Sequence, residues 1–338
     1  MKTVLLTGVT GFLGAHTTIQ LLEKGYKVVG TLRNKSRSAS IRKVIQQHTS
    51  HIDHLSFREI DLMASQKEWS RVANRVDHVM HIASPFPVTL PKREEEVIQP
   101  AKQGTLRVLQ AAIDNGVKKV VLTSSSGAVV YGKQKKGVFN EKDWTDTTNR
   151  KDTTPYFRSK TLAEKAAWEF VEATSNPLKL TTILPGAIVG PVLEEDIGNS
   201  ANIVKKMLDG SLPAFPKIGF EMVDVRDVAT LHIKALESPR ADGERFLATA
   251  GFLSFKDVAA LLREHYPQRK IPMRTLPNFL VRLLSNFEKE LQPVLLELDA
   301  HRTIDSNKAR QLLDWQPIPL AKSVIDCAES LFTHSIIK

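Results

Sequence analysis

A chain of 338 residues has room for two domains, or for one large α/β domain with an appendage. Its 42% hydrophobic and 25% charged residues suit a folded protein with a core, and its single cysteine, Cys327, cannot close an internal disulfide, so a reducing compartment, the cytoplasm by default, is expected. A net charge of +10 does not argue for nucleic acid, because the cations are scattered and the sharpest run, Lys133 to Lys136, lies in a glycine-bounded loop without aromatics; no apolar stretch is long enough to cross a membrane.

Thr3 to Thr7 is an apolar run without a breaker and reads as a buried strand. Gly8, Gly11 and Gly14 follow, then a helical face of Ala15, Ile19 and Leu22 that stops at Gly25. Strand, glycine turn and helix in this order aim free N–H groups at an anion, with Thr10, Phe12 and Leu13 between the glycines. Gly8 permits the tight turn, Gly11 the close approach of phosphates, and Gly14 tight helix–strand packing. The next strand, Lys27 to Leu32, delivers Arg33, with Lys35 and Arg37 behind it and no carboxylate. That strand end reads the adenosine ribose, and cations there favour a 2′-phosphate, hence NADPH over NADH.

A helix over 40–47 leads to His48, His51 and His54, which read as a polar loop and not as metal ligands. Leu55 to Ile60 is a third strand, closing on Asp61 and Leu62; the carboxylate there either accepts from the adenine amino group or caps the following helix. His78 to Ile82 is a fourth, running into Ala83-Ser84-Pro85-Phe86, where prolines force an extended path along the sheet edge at which ligands lie. Glu94 to Asn115 has a helical pattern, weakened by Pro100 and Gly104.

Lys119 to Thr123, a fifth strand, brings Ser124-Ser125-Ser126 to the same edge. Tyr156-Phe-Arg-Ser-Lys160 then opens a helix to about Ala173, which sets phenol and ammonium one turn apart. Tyr131 with Lys135 and Tyr266 with Lys270 share the spacing, but Gly132 and Pro267 deny them a helix. Thr181 to Leu184 is a sixth strand, followed by Pro185 to Pro191, a bracketed turn suited to passing near a ligand. Beyond it helices are expected over 202–208, 228–236, 255–265, 278–287, 307–313 and 321–332, with a strand over 246–249. The pattern divides the chain into a dinucleotide-binding domain, 1–185, completed by segments near 220–250, and a smaller, mostly helical substrate domain, 186–338, interleaved with it.

As a set, these motifs resemble the extended short-chain dehydrogenases/reductases, and within them the dihydroflavonol reductase, cinnamoyl-CoA reductase and methylglyoxal reductase group. Leu32-Arg33, Ala83 to Phe86, Val121 to Ser125, Lys160 to Trp168 and Val223 to Val228 carry the narrower likeness, which covers nearly the whole chain. The resemblance implies a Rossmann-type, doubly wound parallel sheet of about seven strands, with NADPH as donor. It makes Ser125 the catalytic serine, with Ser126 its rival, beside Tyr156 and Lys160. Cofactor contacts would fall at Arg33, Arg37, Asp61, Leu62, Ile82, Ala83, Ser84, Lys160, Pro185, Ile188 and Ser200. The cinnamoyl-CoA reductase signature Asn-Trp-Tyr-Cys-Tyr is missing, since Thr153-Thr-Pro-Tyr-Phe-Arg158 surrounds the tyrosine, so flavonoid or CoA-thioester substrates are not implied.

In the expected chemistry Tyr156 protonates the alkoxide that forms as a carbonyl is reduced, and Ser125 hydrogen-bonds the same oxygen. Lys160 brings the phenol down from its ordinary pKa of ~10 and binds the nicotinamide ribose. Phe86, Ser126, Phe157, Phe215 and Phe220 are expected to line an aromatic-tolerant pocket for a small carbonyl compound, in a monomer or homodimer. The rival readings are a nucleotide-sugar epimerase or dehydratase, a hydroxysteroid dehydrogenase, and a non-enzymatic NADP(H) sensor. Against the first, Phe220-Glu221 stands where those enzymes place an arginine for the sugar diphosphate.

Overall fold

Thr3–Thr7 folds as a central strand (β1), buried from Val4 onward. The computed structural model describes residues 1–85, 91–133, 137–175, 177–194, 197–288 and 291–338, without the side chains of 199 and 200. After β1 come α1 (Phe12–Glu23), β2 (Lys27–Leu32), α2 (Arg37–Gln46), β3 (Leu55–Glu59), α3 (Gln66–Val72) and β4 (His78–His81). They are followed by α4 (Glu95–Asp114), β5 (Lys119–Thr123), α5 (Pro155–Ala173) and β6 (Lys179–Pro185). The strict alternation then ends: β7 (Ala187–Val189), α6 (Gly198–Leu208), β8 (Phe215–Pro216), β9 (Gly219–Asp224), α7 (Val225–Glu237) and β10 (Arg245–Ala248). The chain finishes with β11 (Gly251–Ser254), α8 (Phe255–His265), β12 (Thr275–Leu276), α9 (Asn278–Leu284), α10 (Asn307–Leu313) and α11 (Leu320–Thr333).

Seven strands form a parallel sheet in the order β3-β2-β1-β4-β5-β6-β10. Its inner strands are buried almost throughout because both faces are covered, whereas the edge strand β3 keeps exposed positions. Val4, Leu6, Val28, Met80 and Ile183 turn to the side of α1 and α7, while Leu5, Val29, Val79 and Val120 turn to the side of α3, α4 and α5. The order reverses between β1 and β4, so the chain leaves these two strands in opposite directions and opens a crevice at their carboxyl ends.

Differences from the sequence reading are local. The helix α3 was not expected, although Ser65 and Glu68 form a capping box in which Glu68 Oε2 accepts from the Ser65 N–H at 2.9 Å. A strand, β7, forms inside the Pro185–Pro191 turn and pairs with β9, which also pairs with β11, making a separate three-stranded sheet. The segment near residue 220 therefore leaves the main sheet, and β10 alone supplies its seventh strand. The later elements interleave: α6, α8 and α11 share a second core, while Trp315, 1% exposed, packs in the core of the main sheet and donates to the Asp227 carbonyl at 2.9 Å. Among the described residues no helix is long and apolar enough to cross a membrane.

Candidate active site

The glycine turn forms the floor of the crevice. Gly8 takes φ +79°, which favours glycine, and its carbonyl accepts from the Gly11 N–H at 3.0 Å. A Cβ on Gly14 would meet the Gly8 carbonyl oxygen at 2.0 Å, so helix and turn pack without room for any side chain. A Cβ on Gly11 would meet only that oxygen, at 3.5 Å: here the space lies toward the crevice. Gly11 is the N-cap of α1 and offers no side-chain cap, and no carboxylate stands in the first turn, which leaves the helix N–H groups for an anion. Thr10 and Phe12 are half-buried beside the turn, whereas Leu13 is buried in the main core, where only its backbone can serve a ligand.

One hydroxyl ties β1 to β4 under this turn. Thr7 Oγ1 accepts from the N–H groups of Ile82 and Ala83, both at 3.0 Å, so its own proton goes to His81 Nδ1 at 2.8 Å. Burial, with the Lys160 ammonium nearby, holds His81 down at about 3 and therefore neutral. Ile82, Ala83 and Ser84 emerge half-buried on the crevice side, and Phe86 lies outside the described residues.

Thr154 caps α5, accepting from the Phe157 N–H at 3.3 Å, and Pro155 opens its first turn. This places Tyr156 at the start of the helix and Lys160 one turn on. The Tyr156 phenol is hydrogen-bonded to the Ser125 side chain. Ser125 Oγ also accepts from the Gly127 N–H at 3.0 Å, which fixes its orientation, while Ser126 begins the following single turn of 3-10 helix. Burial pushes the phenol above its ordinary pKa and Ser125 works against that rise. Lys160 is buried and donates to the Thr123 carbonyl at 3.1 Å. Burial lowers its ammonium to about 8, with Glu164 acting in the opposite direction. Ser125 exerts the lowering influence on the phenol.

Thr123 is held in turn by His232. His232 Nδ1 donates to the Val228 carbonyl at 2.8 Å, so its Nε2 must accept from the Thr123 hydroxyl at 2.7 Å. Thr7, His81, His232 and Glu164 were all missed from the sequence, where only the burial expected at a strand's end marks the first two.

Beyond the end of β2, Arg33 is exposed, and Arg37, the first residue of α2, pairs with Glu194 at 2.7 Å. Asp61 accepts from the Met63 N–H at 2.7 Å, closing a local turn, and leaves the capping of α3 to Ser65. Leu62 packs against α4, with Gly104 leaving the room. Pro185 is buried at the end of β6 and Ile188 half-buried in β7; Ser200 lies in α6, its side chain outside the described ones.

Two of the expected pocket residues have other surroundings. Phe215 is fully buried, edge-on to Phe255 at 6.3 Å, because β8 packs into the second core, which leaves it no face for a substrate. Phe220 packs half-buried against the same Phe255. Phe157 and Ser126 are half-buried beside Tyr156, and Phe157 stacks on Tyr131 at 3.8 Å. The Glu221 carboxylate accepts from the Ile304 N–H at 3.3 Å and is pushed up by burial.

The model of the NAD dependent epimerase/dehydratase family matches residues 4–248. A dihydroflavonol 4-reductase of Zea mays is 30% identical over 298 residues, covering 86% of this chain and 80% of its own. A putative NADPH-dependent methylglyoxal reductase of Candida albicans is 29% identical, with 96% of each chain covered. Among solved structures, yeast methylglyoxal/isovaleraldehyde reductase Gre2 complexed with NADPH superposes with a TM-score of 0.82 at 26% identity, covering 99% of this chain and all of that one. The glycine turn, the seven-stranded order and these matches agree: the chain belongs to the NAD dependent epimerase/dehydratase family, the extended short-chain dehydrogenases/reductases.

Proposed function

We propose that the protein is an NADPH-dependent reductase that converts the carbonyl of a small aldehyde or ketone to an alcohol, with Tyr156 as its general acid. The observation that carries this reading is the hydrogen bond between Tyr156 and Ser125 at the carboxyl edge of the sheet, with the Lys160 ammonium anchored one turn away. The residues present fit the cofactor: the space at Gly11 and the uncapped start of α1 suit a diphosphate, and Arg33 and Arg37 suit a 2′-phosphate. The relatives named for NADPH support the same choice.

When bound, NADPH supplies the hydride. As negative charge grows on the substrate oxygen, Ser125 donates a hydrogen bond to it and Tyr156 gives up its proton. The Gly127 N–H holds Ser125 in the orientation for this, which supports Ser125 over Ser126 as the catalytic serine. Lys160, fixed by the Thr123 carbonyl, binds the nicotinamide ribose and places positive charge where the phenolate forms. His81, held neutral, adds no competing charge beside it. The nucleotide-sugar reading gains no support at Glu221, a carboxylate engaged with backbone where a diphosphate would need a cation. Buried Cys327, its thiol pushed up to about 12 by burial, stands outside this chemistry.

The test is to follow NADPH absorbance against a panel of aldehydes, ketones and diketones, with NADH as control. NADPH consumption by at least one small carbonyl, well above that of NADH, is the expected result. A panel without turnover, despite tight NADPH binding, would favour the non-enzymatic sensor.

A further inference from the structure

Glu164 lies one turn beyond Lys160 on α5 and is 1% exposed. Its Oε2 accepts from Ser124 Oγ at 2.6 Å and its Oε1 from Thr182 Oγ1 at 2.8 Å. Arg245 closes a fork on it, Nε to Oε1 at 2.8 Å and Nη2 to Oε2 at 3.3 Å. Arg245 is buried too, with its guanidinium 3.6 Å from the Trp144 ring centroid and its Nη1 donating to the carbonyls of Glu141 and Asp143. A buried ion pair of this kind is a poor source of stability, since desolvation offsets most of the attraction. Its placement suggests another use. The two hydroxyls it steadies are neighbours of the site: Ser124 lies between Ser125 and Thr123, whose carbonyl holds Lys160, and Thr182 lies on the adjoining strand. Lys160, Glu164, Ser124 and Ser84 also line one small cavity.

We propose that Glu164 is a positioning residue for the reductase site: its carboxylate sets negative charge one turn from the Lys160 ammonium and holds the Ser124 side chain next to Ser125, while Arg245 sets how much of that charge reaches the lysine. The inference rests on the reading of Lys160 given above. The groups around Lys160 are His81 from β4, the Thr123 carbonyl from β5, Glu164 from its own helix, which also carries Tyr156 one turn earlier, and Arg245 from β10 behind Glu164. His81 is neutral and Thr123 does not titrate, so the balance on the ammonium is burial against Glu164, and burial has brought it to about 8.

The ammonium is present below about pH 8 and lost above it, so reduction falls as pH rises through that value. Glu164→Gln removes the favourable charge and moves the alkaline limb of kcat/KM down, by roughly one pH unit. Arg245→Gln leaves the carboxylate uncompensated and moves the limb up. The experiment is the pH profile of NADPH-dependent reduction for the wild type and both variants, from about pH 6 to about pH 10. Opposite displacement of the two limbs is the expected result; a purely structural pair would lose activity in both variants without moving either. Unmoved limbs, or limbs displaced the same way, overturn the proposal. Should Glu164→Gln not fold, the Arg245→Gln limb decides alone, its rise supporting the proposal and anything else refuting it. Lys160→Met separates the two readings: turnover that survives it overturns the role given to the lysine, whereas lost turnover with unmoved limbs overturns only the role given to Glu164.

Discussion

Tyr131 and Tyr156 both meet the ring of Phe157. Phe157 stacks face to face on Tyr131 at 3.8 Å and meets Tyr156 edge-on at 5.7 Å. Both phenols are raised by burial, yet their partners differ. Tyr131 donates to the Glu297 carboxylate at 2.6 Å, and Arg302 lies 4.4 Å from its ring centroid while bridging Glu297 and Asp152. Negative charge at the hydroxyl makes that proton harder to remove, so this tyrosine is a strut between the turn after β5 and the segment near residue 297. The partner of Tyr156 is a neutral hydroxyl, which eases loss of the proton, and a lysine stands one turn away. Two tyrosines with a lysine four residues on, in contact with the same phenylalanine, thus have different chemistry because one faces a carboxylate and the other does not.

The largest expected effect breaks the comparison on the Tyr156 side. Tyr156→Phe removes the only proton donor proposed for the substrate oxygen, so turnover should fall by about 10²–10⁴ while NADPH binding, read by fluorescence titration, stays near the wild type. Turnover within a few-fold of the wild type would refute the assignment. Tyr131→Phe should do the reverse. It leaves the buried Glu297 one donor short, at a stability cost of about 1–3 kcal/mol, read as a lower denaturant midpoint, with turnover little changed. A collapse of kcat without loss of stability would show that Tyr131 takes part in the chemistry.

What the sequence revealed of this contrast was its local half. Gly132 disqualified Tyr131 from a helical pairing with Lys135, and it does take φ +75° in the structure, although Lys135 lies outside the described residues. The glycine turn, the strands and the Tyr156–Lys160 turn were legible for the same reason: each is written within a few residues, in a period or a spacing. The partners were not. Glu164 meets Arg245 across 81 residues and Thr7 meets His81 across 74, and no periodicity joins side chains brought together only by sheet order. The misplacement of Phe215 has a related cause, since a two-residue strand carries too little pattern to tell a core face from a pocket face. The helix α3 is different: its start is written locally, in the capping box of Ser65 and Glu68.

The smallest expected effect extends the contrast to the cations at the adenosine end, where again a carboxylate occupies one of two like groups. Arg33 is exposed, while Arg37 is bound to Glu194 beside a cavity of about 360 Å³ that Lys43, Gln47 and His334 also line. A 2′-phosphate reaching Arg37 has to displace that carboxylate or share the guanidinium with it, and the two anions repel. Glu194→Gln should therefore lower KM for NADPH and leave KM for NADH, which has no phosphate there, unchanged. With the Arg37 side chain 41% exposed, water and salt screen the pair, so the gain should be about two- to fivefold and should shrink as salt is added. If KM for NADPH rises instead, Glu194 holds Arg37 in place for the phosphate, and the carboxylate at this end of the crevice is a support where the one at Tyr131 is a lock.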